Sequence, residues 1–98
     1  MRRRYLVCYD IRDPKRLRET HKVMVGHGDP LQYSVFLCDL SGMERTGLVS
    51  RLKKVINEAF DSIAIFDLGP TGSSGPARRI ETIGPTKPMP VSGEPTII

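Results

Sequence analysis

Apolar positions along the chain fall into runs whose spacing changes from strand-like to helix-like and back. Residues 4–11 are almost continuously β-branched, aromatic or apolar. They predict a central strand with Tyr5, Val7, Tyr9 and Ile11 on one side and Leu6, Cys8 and Asp10 on the other. Asp13-Pro14 then opens a helix, because an Asp side chain accepts hydrogen bonds from the first free amides and a proline in the first turn gives up an N–H that had no partner. Leu17, His21, Met24 and Val25 form its inner stripe, Lys15, Arg16, Arg18, Glu19 and Lys22 lie mainly outside it, and Gly26 and Gly28 stop it.

Leu31 to Leu40 is too apolar and β-prone for a loop, and a kink near Ser34 divides it into two short strands. Ser41-Gly42-Met43-Glu44 has capping-box spacing, followed by Leu48, Leu52, Val55 and Ile56 at helical intervals. Asn57 to Asp61 ends that second helix, and Ser62 to Leu68 reads as another strand. A Gly/Pro/Ser loop over 69–76 precedes a short alternating strand, Arg79 to Gly84, and Pro85, Pro88, Pro90 and Pro95 preclude regular structure beyond it.

This order predicts an α+β ferredoxin-like βαββαβ sandwich with an extra C-terminal strand, residues 1–84 forming the domain and 85–98 a Pro-rich tail. Two helices cover one face of the sheet. Strands apolar on both sides need a second cover, which a homodimer through the open face would supply.

Ninety-eight residues allow one small domain. No apolar run is long enough to span a membrane, and the Arg-rich start lacks the apolar stretch of a signal peptide, so a cytoplasmic protein without a membrane partner is expected. Cys8 and Cys38 sit inside apolar runs without metal-ligand spacing and read as buried small hydrophobes.

Charge is uneven. Residues 1–22 hold eight Lys/Arg against Asp10, Asp13 and Glu19, so this segment carries +5 of a net +4 and the remainder −1. Such a concentration suits a polyanion, with Arg3, Arg12, Lys15, Arg16 and Arg18 as candidate phosphate contacts that read backbone rather than bases. A solvated helix face explains the same residues. Asp10 is the other candidate, since Asp is depleted in strands and costly to bury unpaired, although an Asp closing a strand also serves as a turn former. Of the histidines, His21 falls on the inner stripe as a hydrogen-bonded, partly buried imidazole, and His27 lies in a turn between glycines.

Tyr9-Asp10-Ile11 closing the first strand, Gln32-Tyr33-Ser34-Val35-Phe36 after the first helix and the Arg79 to Gly84 strand together resemble the small CRISPR-associated adaptation proteins, family two of the CRISPR-associated set. The resemblance covers residues 4–84, and Gly26 to Pro30 departs from the family's usual approach to the glutamine. It implies a homodimeric metal-dependent endonuclease of RNA or double-stranded DNA, using Mg²⁺ or Mn²⁺, that also bridges DNA between integrase subunits in the spacer-integration complex. Asp10 matches the family's metal-binding, catalytic aspartate.

Magnesium generally takes one or two carboxylates and completes its octahedron with water and phosphate, so one Asp per chain is a poor site unless a two-fold axis brings two copies of Asp10 together. A cation bridging such a pair lowers the pKa of a bound water enough to attack a phosphodiester. The same single carboxylate suits a non-catalytic DNA-binding scaffold for the integrase subunits, and small basic ferredoxin-like toxin ribonucleases share the plan.

Overall fold

Alternation in the first strand decides the layering. In β1 (Arg2–Asp10) Tyr5, Val7 and Tyr9 are buried, whereas Leu6 and Cys8 on the opposite face are only half-buried. The computed structural model describes residues 1–71 and Ile83. After β1 come α1 (Pro14–Val25), β2 (Gly28–Gln32), β3 (Val35–Ser41), α2 (Gly42–Val55) and β4 (Ser62–Pro70). The sheet is antiparallel throughout, in the order β2-β3-β1-β4, and this is the ferredoxin-like arrangement expected from the sequence.

Both helices start as the sequence predicts. Asp13 caps α1 by accepting from the Arg16 amide at 2.9 Å with Pro14 in the first turn, and Ser41 and Glu44 form a complete capping box at α2. Leu48 and Leu52 from α2 and Met24 from α1 meet Phe36, Cys38 and Leu40 of β3 and the tyrosines of β1 in one core. Burial, and then the Asp29 carboxylate, push the Cys38 thiol up to about 11, so it stays protonated and inert at neutral pH. Neither cysteine forms a disulfide.

Four boundaries differ from expectation. Val25 is 54% exposed, because the inner face of α1 runs through Leu17, Thr20, His21 and Met24, and a residue 100° past Met24 leaves it. Gly28 belongs to β2 rather than to the helix stop. A Cβ there would lie 2.5 Å from Cys38 Sγ and 2.7 Å from the Leu37 carbonyl oxygen, so the residue is small because two strands approach closely. Strand β2 also contains Pro30, tolerated because β2 is an edge strand. Finally, β4 continues through Gly69 and Pro70, where a loop was expected. Leu68 stands unopposed between the Arg4–Gly69 and Tyr5–Asp67 pairs, and Gly69 takes φ +98° at this bulge. The strand expected over 79–84 lies outside the described residues except for Ile83, which is exposed and in neither helix nor strand, and the tail over 85–98 lies outside them entirely.

Candidate metal site and nucleic-acid interface

Since β3 and β4 both run antiparallel to β1, the end of β1 that carries Asp10 also holds the beginnings of β3 and β4. Asp10 pairs in register with Ser62, and the Tyr9 amide donates to the Ser34 carbonyl at 3.1 Å, placing the β2–β3 turn beside it. Asp10 is exposed, and its carboxylate has no hydrogen-bond or ion-pair partner among the described residues. It is therefore not the cap of α1, a role taken by Asp13.

Two buried groups fix this end of the sheet. The first is Asp61, whose side chain is completely buried. It accepts from the Arg12 amide at 2.9 Å, the Asn57 amide at 2.9 Å, and Arg16 Nε and Nη2 at 2.7 and 3.2 Å, so both carboxylate oxygens are filled. The Arg16 hydrogen bond above all, then the two amides, hold its carboxyl well below the usual carboxylate range despite burial. Asp61 thereby ties the residues just after Asp10 to those just before Ser62.

The second is the Tyr33 carbonyl in the turn, which accepts from Tyr9 Oη at 2.7 Å and from His21 Nδ1 at 3.1 Å, defining the His21 tautomer as Nδ1–H. The His21 and Tyr33 rings stack with centroids 4.0 Å apart and planes 2° from parallel. Burial lowers the His21 pKa more than the carbonyl raises it, so the ring is neutral at physiological pH. Tyr9, Tyr33 and Phe36 thus act in packing, and so does His21. The Tyr33 hydroxyl is buried without a partner among the described residues.

The candidate cations separate into two groups. Arg12, Lys15 and Arg18 are exposed at this end of the sheet and along the first turns of α1, with no hydrogen bond or ion pair to their side chains among the described residues. Arg16, by contrast, is committed to Asp61. Arg3 lies near the opposite end of β1, about 23 Å away by strand rise, and pairs with Asp67 at 3.0 Å. Arg2 there joins Asp39 and Glu44. The fold therefore does not bring Arg3 to Asp10, and it turns Arg16 inward. The charge run itself marks both as cations without naming their acidic partners, which lie 45 and 64 residues along the chain.

No group of three His, Cys, Asp or Glu side chains fit to hold a metal ion occurs among the described residues. Asp10 supplies one hard oxygen donor group and Asp61 none, the lower limit of the one or two carboxylates that Mg²⁺ generally takes beside water and phosphate. Asp10 projects from the face shared by Leu6 and Cys8, the one the helices leave uncovered, where Phe66 is 52% exposed.

Fold and site define a small ferredoxin-like protein with an exposed carboxylate and exposed cations, unpaired among the described residues, at one sheet end. The family model described as CRISPR associated protein Cas2 matches residues 1–74, and the chain belongs to that family. It is 46% identical over 66 residues to a Rhodospirillum rubrum protein named CRISPR-associated endoribonuclease Cas2 1, covering 67% of this chain and 65% of that relative. A Geobacter sulfurreducens protein named CRISPR-associated endoribonuclease Cas2 is 38% identical over 82 residues, covering 84% of each. Among solved structures, Streptococcus pyogenes Cas2 superposes with a TM-score of 0.72 at 37% identity, over 83% of this chain and 99% of that one. No helix among the described residues is long and apolar enough to cross a membrane.

Proposed function

We propose that this chain is a divalent-metal-dependent endonuclease of CRISPR adaptation that acts as a homodimer on RNA or double-stranded DNA. The observation that carries this reading is Asp10, an exposed carboxylate without a partner among the described residues, at the sheet end from which Arg12, Lys15 and Arg18, likewise unpaired among those residues, follow in the chain. An isologous dimer through the open sheet face would cover Leu6, Cys8, Leu37 and Phe66, and would bring two Asp10 carboxylates toward one cation. Bound there, Mg²⁺ or Mn²⁺ would supply a nucleophilic water at neutral pH. Arg12, Lys15 and Arg18 hold phosphates, and Asp61 and the Tyr33 carbonyl keep the strand ends in place. In the cell the same dimer would bridge DNA between integrase subunits.

The absence of a three-donor metal cluster among the described residues favours a second reading, a DNA-binding scaffold that cuts nothing. Cleavage of RNA and duplex DNA in Mg²⁺, compared between wild type and Asp10→Asn, separates the two. Metal-dependent cleavage that the substitution removes supports the nuclease. DNA binding with no cleavage by either protein supports the scaffold, and a monomer by light scattering at micromolar concentration excludes the shared site.

A further inference from the structure

Of the six aromatic residues in the chain, Tyr5, Tyr9, Tyr33 and Phe36 are buried in the core and Phe66 lies on the open sheet face. Phe60 is the one aromatic exposed in a loop, at 66%. That loop is held firmly. The Phe60 and Asp61 amides donate to the Asn57 carbonyl at 3.0 and 2.8 Å, the Ala59 amide donates to Asn57 Oδ1 at 3.0 Å, and the next residue is the buried Asp61. An exposed phenyl ring on a turn this constrained has already lost the backbone entropy that binding would otherwise cost.

Its neighbours indicate the ligand. Phe60 is two residues ahead of Ser62, the register partner of Asp10. The Asp61 carboxylate between them bonds the Arg12 amide at 2.9 Å. Summing bond lengths along that path keeps the Phe60 and Arg12 Cα atoms within about 12 Å, close enough for one nucleotide to reach both side chains. An exposed aromatic, and a guanidinium and a carboxylate that have no partner among the described residues, thus lie at the same end of the sheet. A ring with no hydrogen-bonding group recognises any π-face, whereas a duplex presents its bases already stacked.

We infer that Phe60 is a base-stacking platform, which receives an unpaired base of a single-stranded nucleic acid whose neighbouring phosphate sits on Arg12. The inference rests on the nucleic-acid reading above and adds to it a residue that separates single strands from duplexes.

The test measures binding of a short single-stranded RNA carrying a fluorescent purine analogue, and of its duplex, in an Asp10→Asn background that prevents turnover. Phe60→Ala is expected to weaken single-strand binding about fivefold to a hundredfold, the range found for loss of one stacked base. It should leave duplex binding and the thermal midpoint unchanged and abolish quenching of the analogue. Phe60→Trp should restore both affinity and quenching. Single-strand binding that survives Phe60→Ala overturns the platform while leaving the nuclease reading intact. Equal loss on both probes also overturns it, as does a change in oligomeric mass, which would make Phe60 a protein contact. If the parent binds neither probe, both readings fall.

Discussion

At the start of β1, Arg2 and Arg3 are tied to Asp39, Glu44 and Asp67, and the Asp39 carboxylate also accepts from the Thr71 hydroxyl at 2.8 Å. Around the end of β1, Arg12, Lys15 and Arg18 are unpaired among the described residues and Asp10 is exposed. Both stretches are rich in arginine, yet one has spent its charge inside the molecule. The Thr71 hydroxyl first, and then Arg2, hold the Asp39 carboxyl below its usual range, while Asp67 is held down by the Gly69 amide and then Arg3. Charge in a sequence measures what a fold can offer to a polyanion only after such internal pairs are subtracted.

The most damaging change expected for function is Asp10→Ala. It should lower metal-dependent cleavage by about three orders of magnitude or more with circular dichroism and thermal midpoint unchanged, while Arg3→Gln leaves cleavage as it was. Loss of folding in Asp10→Ala would reverse the contrast by making Asp10 structural. Next comes Asp61→Ala, which removes a fully buried carboxylate, leaves the partly exposed Arg16 without its partner and frees two amides. Thermal unfolding should show a loss of several degrees, larger than for Asp39→Ala or Asp67→Ala, whose carboxylates are half exposed.

Salt titrations probe the comparison directly. Arg12→Gln, Lys15→Gln and Arg18→Gln should each flatten the slope of log affinity against log salt by about one, and Arg3→Gln should leave it unaltered. An equal effect from Arg3 would mean that its pair with Asp67 opens on binding.

Two pH effects are smaller. Since Asp61 has a depressed folded pKa, its contribution to stability is full above the unfolded value of about 3.9 and disappears only as pH falls through the lower folded value. His21 is likewise lowered, so the unfolded chain takes up its proton more readily. The His21 contribution to stability should decline as pH drops below about 6.5, and His21→Gln should remove that decline in thermal scans.

Local chemistry was the most legible part of the sequence. Asp13-Pro14 and the Ser41–Glu44 box act within three residues, and the alternation of β1 needs only a period of two. Val25 and Gly28 were misplaced because the phase of a helix end and the close approach of two strands depend on neighbours far along the chain. Asp61 gave no signal beyond that of a helix-ending residue, since its partners Arg12 and Arg16 are 49 and 45 residues away. Phe60 was equally silent, for an aromatic next to an apolar strand reads as core until its exposure is seen.

The two edges of the sheet differ in what they can join. Strand β2 is five residues long and carries Pro30, which has no N–H to offer a neighbour, whereas β4 runs nine residues with its proline only at the last position. Open-ended growth by edge pairing needs two receptive edges, one for each direction of propagation. Among the described strands β2 is blunted in this way and β4 is not, an asymmetry that favours closed pairs over open-ended fibres.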